Sequence, residues 1–194
     1  FRSNLAPDKL YEALFLEATK ADHDLGHLIN YSYQSGENIT NIKAGRPLFV
    51  RKSDSNFNLP NFMQTQLYSA FAPLKIGMDI LSNEEDIKTD VMIAQGGLFR
   101  TPVVAQQVLS DALNIPITVM ANAGEGGPWG MAVLAMFASD SNGQSLSDYL
   151  DTNVFSNPES MTLSPEPEGV EAYDEFTKEY VAGLPVEAQA GEVI

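Results

Sequence analysis

The sequence predicts an α/β domain, a mixed sheet flanked by helices. Two observations carry this. From Val91 to Ala138 the chain reads as strand, glycine turn, helix, strand, second glycine turn and helix. With 194 residues, 44% of them hydrophobic, it is also long and apolar enough to bury one core as a single domain.

The elements follow in order. Pro7 to about Lys20 has Leu10, Leu14 and either Tyr11 or Phe15 on one face of a helix, which the sheet that follows is expected to cover. His23 and His27 stand four apart beside Asp22 and Asp24, but no third ligand is near and exposed loop histidines are the simpler reading. Leu28 to Tyr33 alternates as a strand, Ser35 to Asn38 turns the chain, and Ile39 to Ile42 completes an expected hairpin. The run from Gly45 to Arg51 is another short apolar piece, flanked by Arg46, Arg51 and Lys52. A solvated strand end needs no ligand; the alternative is a contact with phosphate or a neighbouring domain. A polar loop from Ser53 to Asn61 leads to a helix from Phe62 to Leu81. Leu67, Phe71, Leu74 and Met78 form its stripe, and Pro73 and Gly77 are the expected kink. Asn83 to Asp90 is an acidic loop, read as solvated surface.

In the central unit, Val91 to Ala94 suits a fully buried strand ending at Gly96-Gly97. Thr101 and Pro102 have the residue types of an N-cap and first helical position, so a helix is expected from there to about Leu113. Its free N–H groups suit an anionic ligand. Ile115 to Met120 is the next strand, entered through Pro116, and Asn122 to Gly127 a second turn with Glu125 at its tip. From Trp129 the sequence is apolar nearly all round, which predicts a buried helix. Trp129 should fill core, and Gly126, Gly127, Gly130 and Ala132 should admit close backbone approach. After a polar loop from Ser139 to Gln144, Leu146 to Asn153 reads as a short helix. Asn157 to Gly169 reads as a linker, Val170 to Val181 as an amphipathic helix bearing Tyr173 and Phe176, and Leu184 onward as a frayed tail.

Composition narrows the function. The absence of cysteine excludes disulfides and thiolate metal sites and suits a cytoplasmic protein. A net charge of −15 opposes nucleic acid and anionic membrane. No apolar run reaches the roughly 20 residues of a membrane span, and Phe1-Arg2-Ser3 carries no signal-peptide pattern. The missing initiator Met predicts a processed or shortened chain. The same negative charge repels a nucleotide, which must then be held locally by backbone N–H groups, a helix N-terminus and Mg2+. There is no G-x-G-x-x-G after a first strand and no Walker lysine, which argues against Rossmann and P-loop proteins.

Gly96-Gly97 with Gln107 and Asp111, then Glu125 with Gly130, Met131 and Ala132, stand in two spaced motifs in the right order. At these residues the chain resembles the carboxyl-terminal domain of the FGGY carbohydrate kinases, which have an actin-like (ribonuclease H-like) ATPase fold and include ribulokinase, xylulokinase and glycerol kinase. The resemblance extends, more loosely, over nearly the whole chain. It implies transfer of the γ-phosphoryl group of ATP, with Mg2+, to a sugar hydroxyl in a cleft between two domains.

By resemblance, Gly96 and Gly97 match glycines whose backbone lies against the adenosine of ATP. Thr101 falls where glycerol kinase has an Asn near the adenine, so it either makes that contact or caps the helix. Arg100 either stacks on adenine or reaches a phosphate, or is a surface residue. Gln107, Asp111 and Glu125 are expected to pack rather than react. Phe71 stands where family members often carry an acid. The family's catalytic aspartate, sugar site and phosphate loops have no counterpart here, so no catalytic or metal-binding residue is assigned. Residues 1–194 are therefore expected to be the carboxyl-terminal portion of a kinase about 2.5 times longer, inactive alone and reaching its sugar through an amino-terminal domain. The Gly97 to Asp111 spacing and the Gly45 to Arg51 run resemble ribulokinase and xylulokinase, pointing to a pentulose. The alternative is a non-catalytic actin-fold nucleotide-binding or interaction module. A domain without its neighbour also exposes apolar surface through which it can pair with a second copy.

Overall fold

The computed structural model describes residues 6–121, 123–156 and 159–193. Readings that involve Phe1 to Ser3, Asn122, Asn157 and Pro158 lie in part outside the described residues.

Helix α1 (Pro7–Ala18) is followed by a short 3-10 turn, strand β1 (Leu28–Tyr31), strand β2 (Leu48–Arg51) and the long helix α2 (Leu59–Asn83). Then come β3 (Met92–Ala94), a 3-10 turn (Gly97–Arg100), α3 (Val104–Leu113), β4 (Ile117–Met120), a 3-10 turn (Ala123–Glu125) and α4 (Gly126–Asp140). The chain ends with α5 (Leu146–Tyr149), which continues into one π turn, β5 (Ser160–Leu163) and α6 (Pro167–Val193). Strands β1 and β2 pair antiparallel, Tyr31 opposite Leu48. The second sheet is mixed: β3 and β4 are parallel with Ala94 opposite Val119, and β5 runs antiparallel to β4 with Ile117 opposite Leu163.

The core lies where α2, α3 and α6 meet. Tyr173 is fully buried and donates its hydroxyl to the carbonyl oxygen of Tyr68 at 2.6 Å, with their rings 4.5 Å apart. Helix α3 is buried along all its length except Gln107. Its polar residues are therefore bonded: Gln106 Nε2 donates to the carbonyls of Ile117 (2.8 Å) and Met161 (2.9 Å), and Ser110 Oγ to that of Ile115 (2.9 Å). These bonds fasten β4 and β5 to α3 and give the buried side chains of Gln106 and Ser110 their partners.

Several elements depart from the sequence reading. Helix α1 packs on α2 and α3 rather than on a sheet, because α2 and α6 already cover β1, and Leu10 and Tyr11 stay exposed. Residues 39–42 form a turn with one bridge, Glu37 to Ile42, and the true partner of β1 is β2. Helix α2 starts at Leu59, capped by Asn58, whose side chain accepts from the Asn61 N–H. Strand β3 is an edge strand, so Ala94 faces the core while Val91 and Ile93 are 51% and 61% exposed. The expected linker contains β5, and the expected tail, from Leu184, is the last third or so of α6. The helix persists past Pro185 because one of its faces, at Gly183, Glu187 and Gly191, packs on the segment from Tyr31 to Arg46.

Helix α4 is the largest correction. It is not buried: Val133 is its one buried residue, and Met131 is 69% exposed. Among the described residues only the α5 region leans on it through ring contacts, Phe155 against Trp129 and Tyr149 against Phe137. Trp129 is thus half-buried at the side of a helix rather than in a core. Gly127 and Gly130 border open space, and of this group Gly126 alone makes a close approach, to the side chain of Gln95.

Candidate functional site

Because β3 and β4 are parallel, the loops that follow them leave the same end of the sheet, the usual place for a ligand in such folds. They lie side by side, the Gly96 N–H donating to the Ala123 carbonyl at 2.8 Å. Gly96 has φ 126° and ψ 172°, a region in which residues other than glycine are strained. A Cβ built on Gly96 or on Gly97 meets nothing within 4 Å. The turn therefore offers bare backbone to open space, a surface on which a flat group such as a nucleoside can lie. Phe99, in the same turn, stacks on Phe71 with centroids 6.3 Å apart, so the ring at this helix position anchors the turn from behind.

Thr101 is neither exposed nor a helix cap. It is buried and extended (φ −84°, ψ 110°), and α3 begins only at Val104. The cause is Pro102, which disfavours helical geometry in the residue before it. Val103 occupies the cap position instead, at φ 73°, and as an apolar side chain it makes no cap hydrogen bond. A β-branched residue in that region is strained by about 1–3 kcal/mol.

Arg100 turns away from the glycines. Its stem crosses Gly124, where an added Cβ would stand 2.8 Å from Arg100 Cγ, and its guanidinium donates to the Glu125 carboxylate. Both partners are more than half exposed, so the pair is held weakly, by less than about 1 kcal/mol. Arg100 lines a cleft of about 490 Å³ together with Phe99, Val103, Gln106, Met120 and Glu159. Gly96, Gly97 and Thr101 are not among the residues of that wall. Of the four predicted site residues, the two glycines thus stand together on an open face, Arg100 borders the neighbouring cleft, and Thr101 is inside. Sequence reasoning missed Gly124, whose lack of a side chain lets Arg100 cross it; its signal was a third glycine before Gly126-Gly127.

Gln107 and Asp111 do meet, Nε2 to Oδ1 at 2.8 Å, and the same Oδ1 accepts the Glu166 N–H at 2.8 Å. Burial pushes the Asp111 carboxyl above the ordinary carboxylate range, against the pull of these two hydrogen bonds. Its work is to join α3 to the start of α6. Among the described residues no group of three or more His, Asp or Glu stands ready for a metal, and His27 Nε2 lies 3.4 Å from Asp24. No described helix is long and apolar enough to cross a membrane.

Residues 2–139 match the family model of the FGGY family of carbohydrate kinases, C-terminal domain. In structure the chain is similar to ligand-bound xylulose kinase from Lactobacillus acidophilus, with TM-score 0.72 and 19% identity over 98% of this chain and 37% of that one. It is similar to xylulose kinase from Rhodospirillum rubrum, with TM-score 0.69 and 19% identity over 93% and 35%. It is also similar to Plasmodium falciparum glycerol kinase with ADP, with TM-score 0.66 and 17% identity over 90% and 33%. These likenesses bear out the actin-like fold, and the chain spans about a third of the length of each. No curated protein is significantly similar to it in sequence.

Proposed function

Because the chain belongs to the FGGY family of carbohydrate kinases, as a carboxyl-terminal domain, we propose that it forms the nucleotide side of an ATP-dependent sugar kinase. The observation that carries this reading is the Gly96-Gly97 turn. It is open backbone at the carboxyl end of parallel strands, with a glycine-only conformation at its first residue. Gly96 and Gly97 lie against the adenosine, and Phe71 holds their turn rigid through Phe99. Arg100, swung off Glu125, reaches the nucleotide's phosphates. Thr101 supports the turn from beneath rather than touching the base. ATP supplies the γ-phosphoryl group, and Mg2+, bound chiefly through phosphate oxygens, offsets its charge.

The general base and the sugar site belong to a further, amino-terminal part of a longer protein. Relatives more than two and a half times as long support this, as do the uncovered apolar residues of α4 and β3. The favoured substrate is a pentulose, such as ribulose or xylulose, on the Gly97 to Asp111 spacing. The favoured compartment is the cytoplasm, on the absence of cysteine. Pairing of Arg100 with Glu125 favours one second reading, a non-catalytic module in which that cation serves only to tie two loops together.

Calorimetric titration of the chain with Mg-ADP tests the proposal. Saturable binding of one equivalent supports it, and no heat of binding at millimolar nucleotide contradicts it.

A further inference from the structure

Glu187 stands outside any role in nucleotide binding and, among the described residues, is the one charged residue that is fully buried. It lies in the last turns of α6, on one face with Gly183 and Gly191 at intervals of four. That face is closely packed. A Cβ on Gly183 would collide with the Tyr31 hydroxyl, and one on Gly191 with the Ala44 carbonyl oxygen. Glu187 Oε1 accepts the Arg46 N–H at 2.7 Å, whereas Oε2 is buried and, among the described residues, has no hydrogen-bond partner.

Pro185 makes these turns depend on docking. It has no N–H to give the carbonyl four residues earlier, so the helix is weakened at the point where the docked face begins. The opposite face offers no compensation, with Val186 and Val193 at 58% and 72% exposure. The docked face is therefore Gly183, Glu187 and Gly191, with Leu184 and Ala188 packed on the core beside it, and a charge on Glu187 would leave one oxygen buried without a donor.

We propose that Glu187 is a proton-operated latch: neutral, it holds the end of α6 against the segment from Tyr31 to Arg46, and ionised, it releases it. The charged and titratable groups that face it are Arg46, from the loop before β2, and Tyr31, from β1. The Arg46 guanidinium donates to the Gly45 carbonyl, and its charge favours ionised Glu187. Tyr31 donates its hydroxyl to the Tyr180 carbonyl and stays neutral throughout. Burial outweighs Arg46 and raises the Glu187 carboxyl above its ordinary 4.5. The latch contribution is thus complete below that ordinary value and is lost as the pH rises through the value in the docked state.

Amide hydrogen exchange at about pH 4 and about pH 8, corrected for intrinsic rates, tests this, with α3 as internal reference. The amides of residues 183–184 and 186–193 in the natural chain should lose protection at the higher pH, while Glu187→Gln shows equal protection at both. Unchanged protection in the natural chain, or the same loss in Glu187→Gln, would overturn the latch. A carboxyl-carbon NMR titration of the natural chain decides the matter if the variant does not fold. A Glu187 midpoint above its ordinary 4.5 supports the latch, and one at or below it overturns it.

Discussion

Arg100 lies across the bare backbone of Gly124, with its guanidinium on Glu125. One side chain thereby joins the loop after β3 to the loop after β4. Because the pair is exposed, Arg100→Ala should lower stability by less than about 1 kcal/mol in urea unfolding. Gly124→Ala should cost more than this, since the added methyl would stand 2.8 Å from Arg100 Cγ, near the root of that side chain, and the whole side chain must rotate off the loop. A loss above about 2 kcal/mol in Arg100→Ala would mean that the two loops are held by more than a surface pair.

Gln106 is the opposite case, a buried amide with two carbonyls depending on it. Gln106→Leu keeps the volume and removes both donors. Urea unfolding should show a loss of about 2–4 kcal/mol, with β5 the first segment to gain hydrogen exchange because the Met161 carbonyl lies in it.

Asp111 gives a pH dependence with a definite sign. Its carboxyl is raised from 3.8 by burial, so its protonated form favours the fold. That contribution is complete below 3.8 and is lost as the pH rises through the folded value. Asp111→Asn should flatten this part of the stability profile as the pH rises above about 4, read from urea midpoints at each pH. A steeper profile in the variant would contradict the assignment.

Helix α4 predicts association. Met131 and Leu134 are neighbours on its surface, 69% and 48% exposed. Light scattering at micromolar concentration should give a mass above the 21.1 kDa of one chain, and Met131→Glu with Leu134→Glu should return it to that mass. A natural chain that stays at the single mass would show that this face needs no cover.

What the sequence revealed was what is encoded locally. Gly96-Gly97, the turn at Glu125 and the alternation of strand and helix between them are written in adjacent residues, and the structure has them in that order. The pairing of Gln107 with Asp111 follows from helical spacing alone. What stayed hidden depends on residues far away in the chain. Strand β5 is four residues among prolines and glutamates, and it exists because β4 offers an edge. The end of α6 is helical because Tyr31 and Arg46 receive it, which no window around Pro185 reveals. An all-apolar helix such as α4 announces that it wants a cover but not where the cover comes from. At the site itself the glycines were legible. The burial of Thr101 and the turning of Arg100 were not, because Pro102 has the residue type of a first helical position yet holds Thr101 extended, and the turning of Arg100 follows from the empty space at Gly124.

Gly97 is well suited to test whether the glycine turn receives the nucleotide. It has no positive φ, and a side chain there meets nothing within 4 Å, so Gly97→Val should fold as the natural chain does. Titrating both proteins with Mg-ADP should give binding to the natural chain and a loss of about tenfold or more in the variant, about 1.4 kcal/mol. Equal affinity in the two proteins would contradict the account, because a valine would then occupy the place assigned to adenosine without consequence.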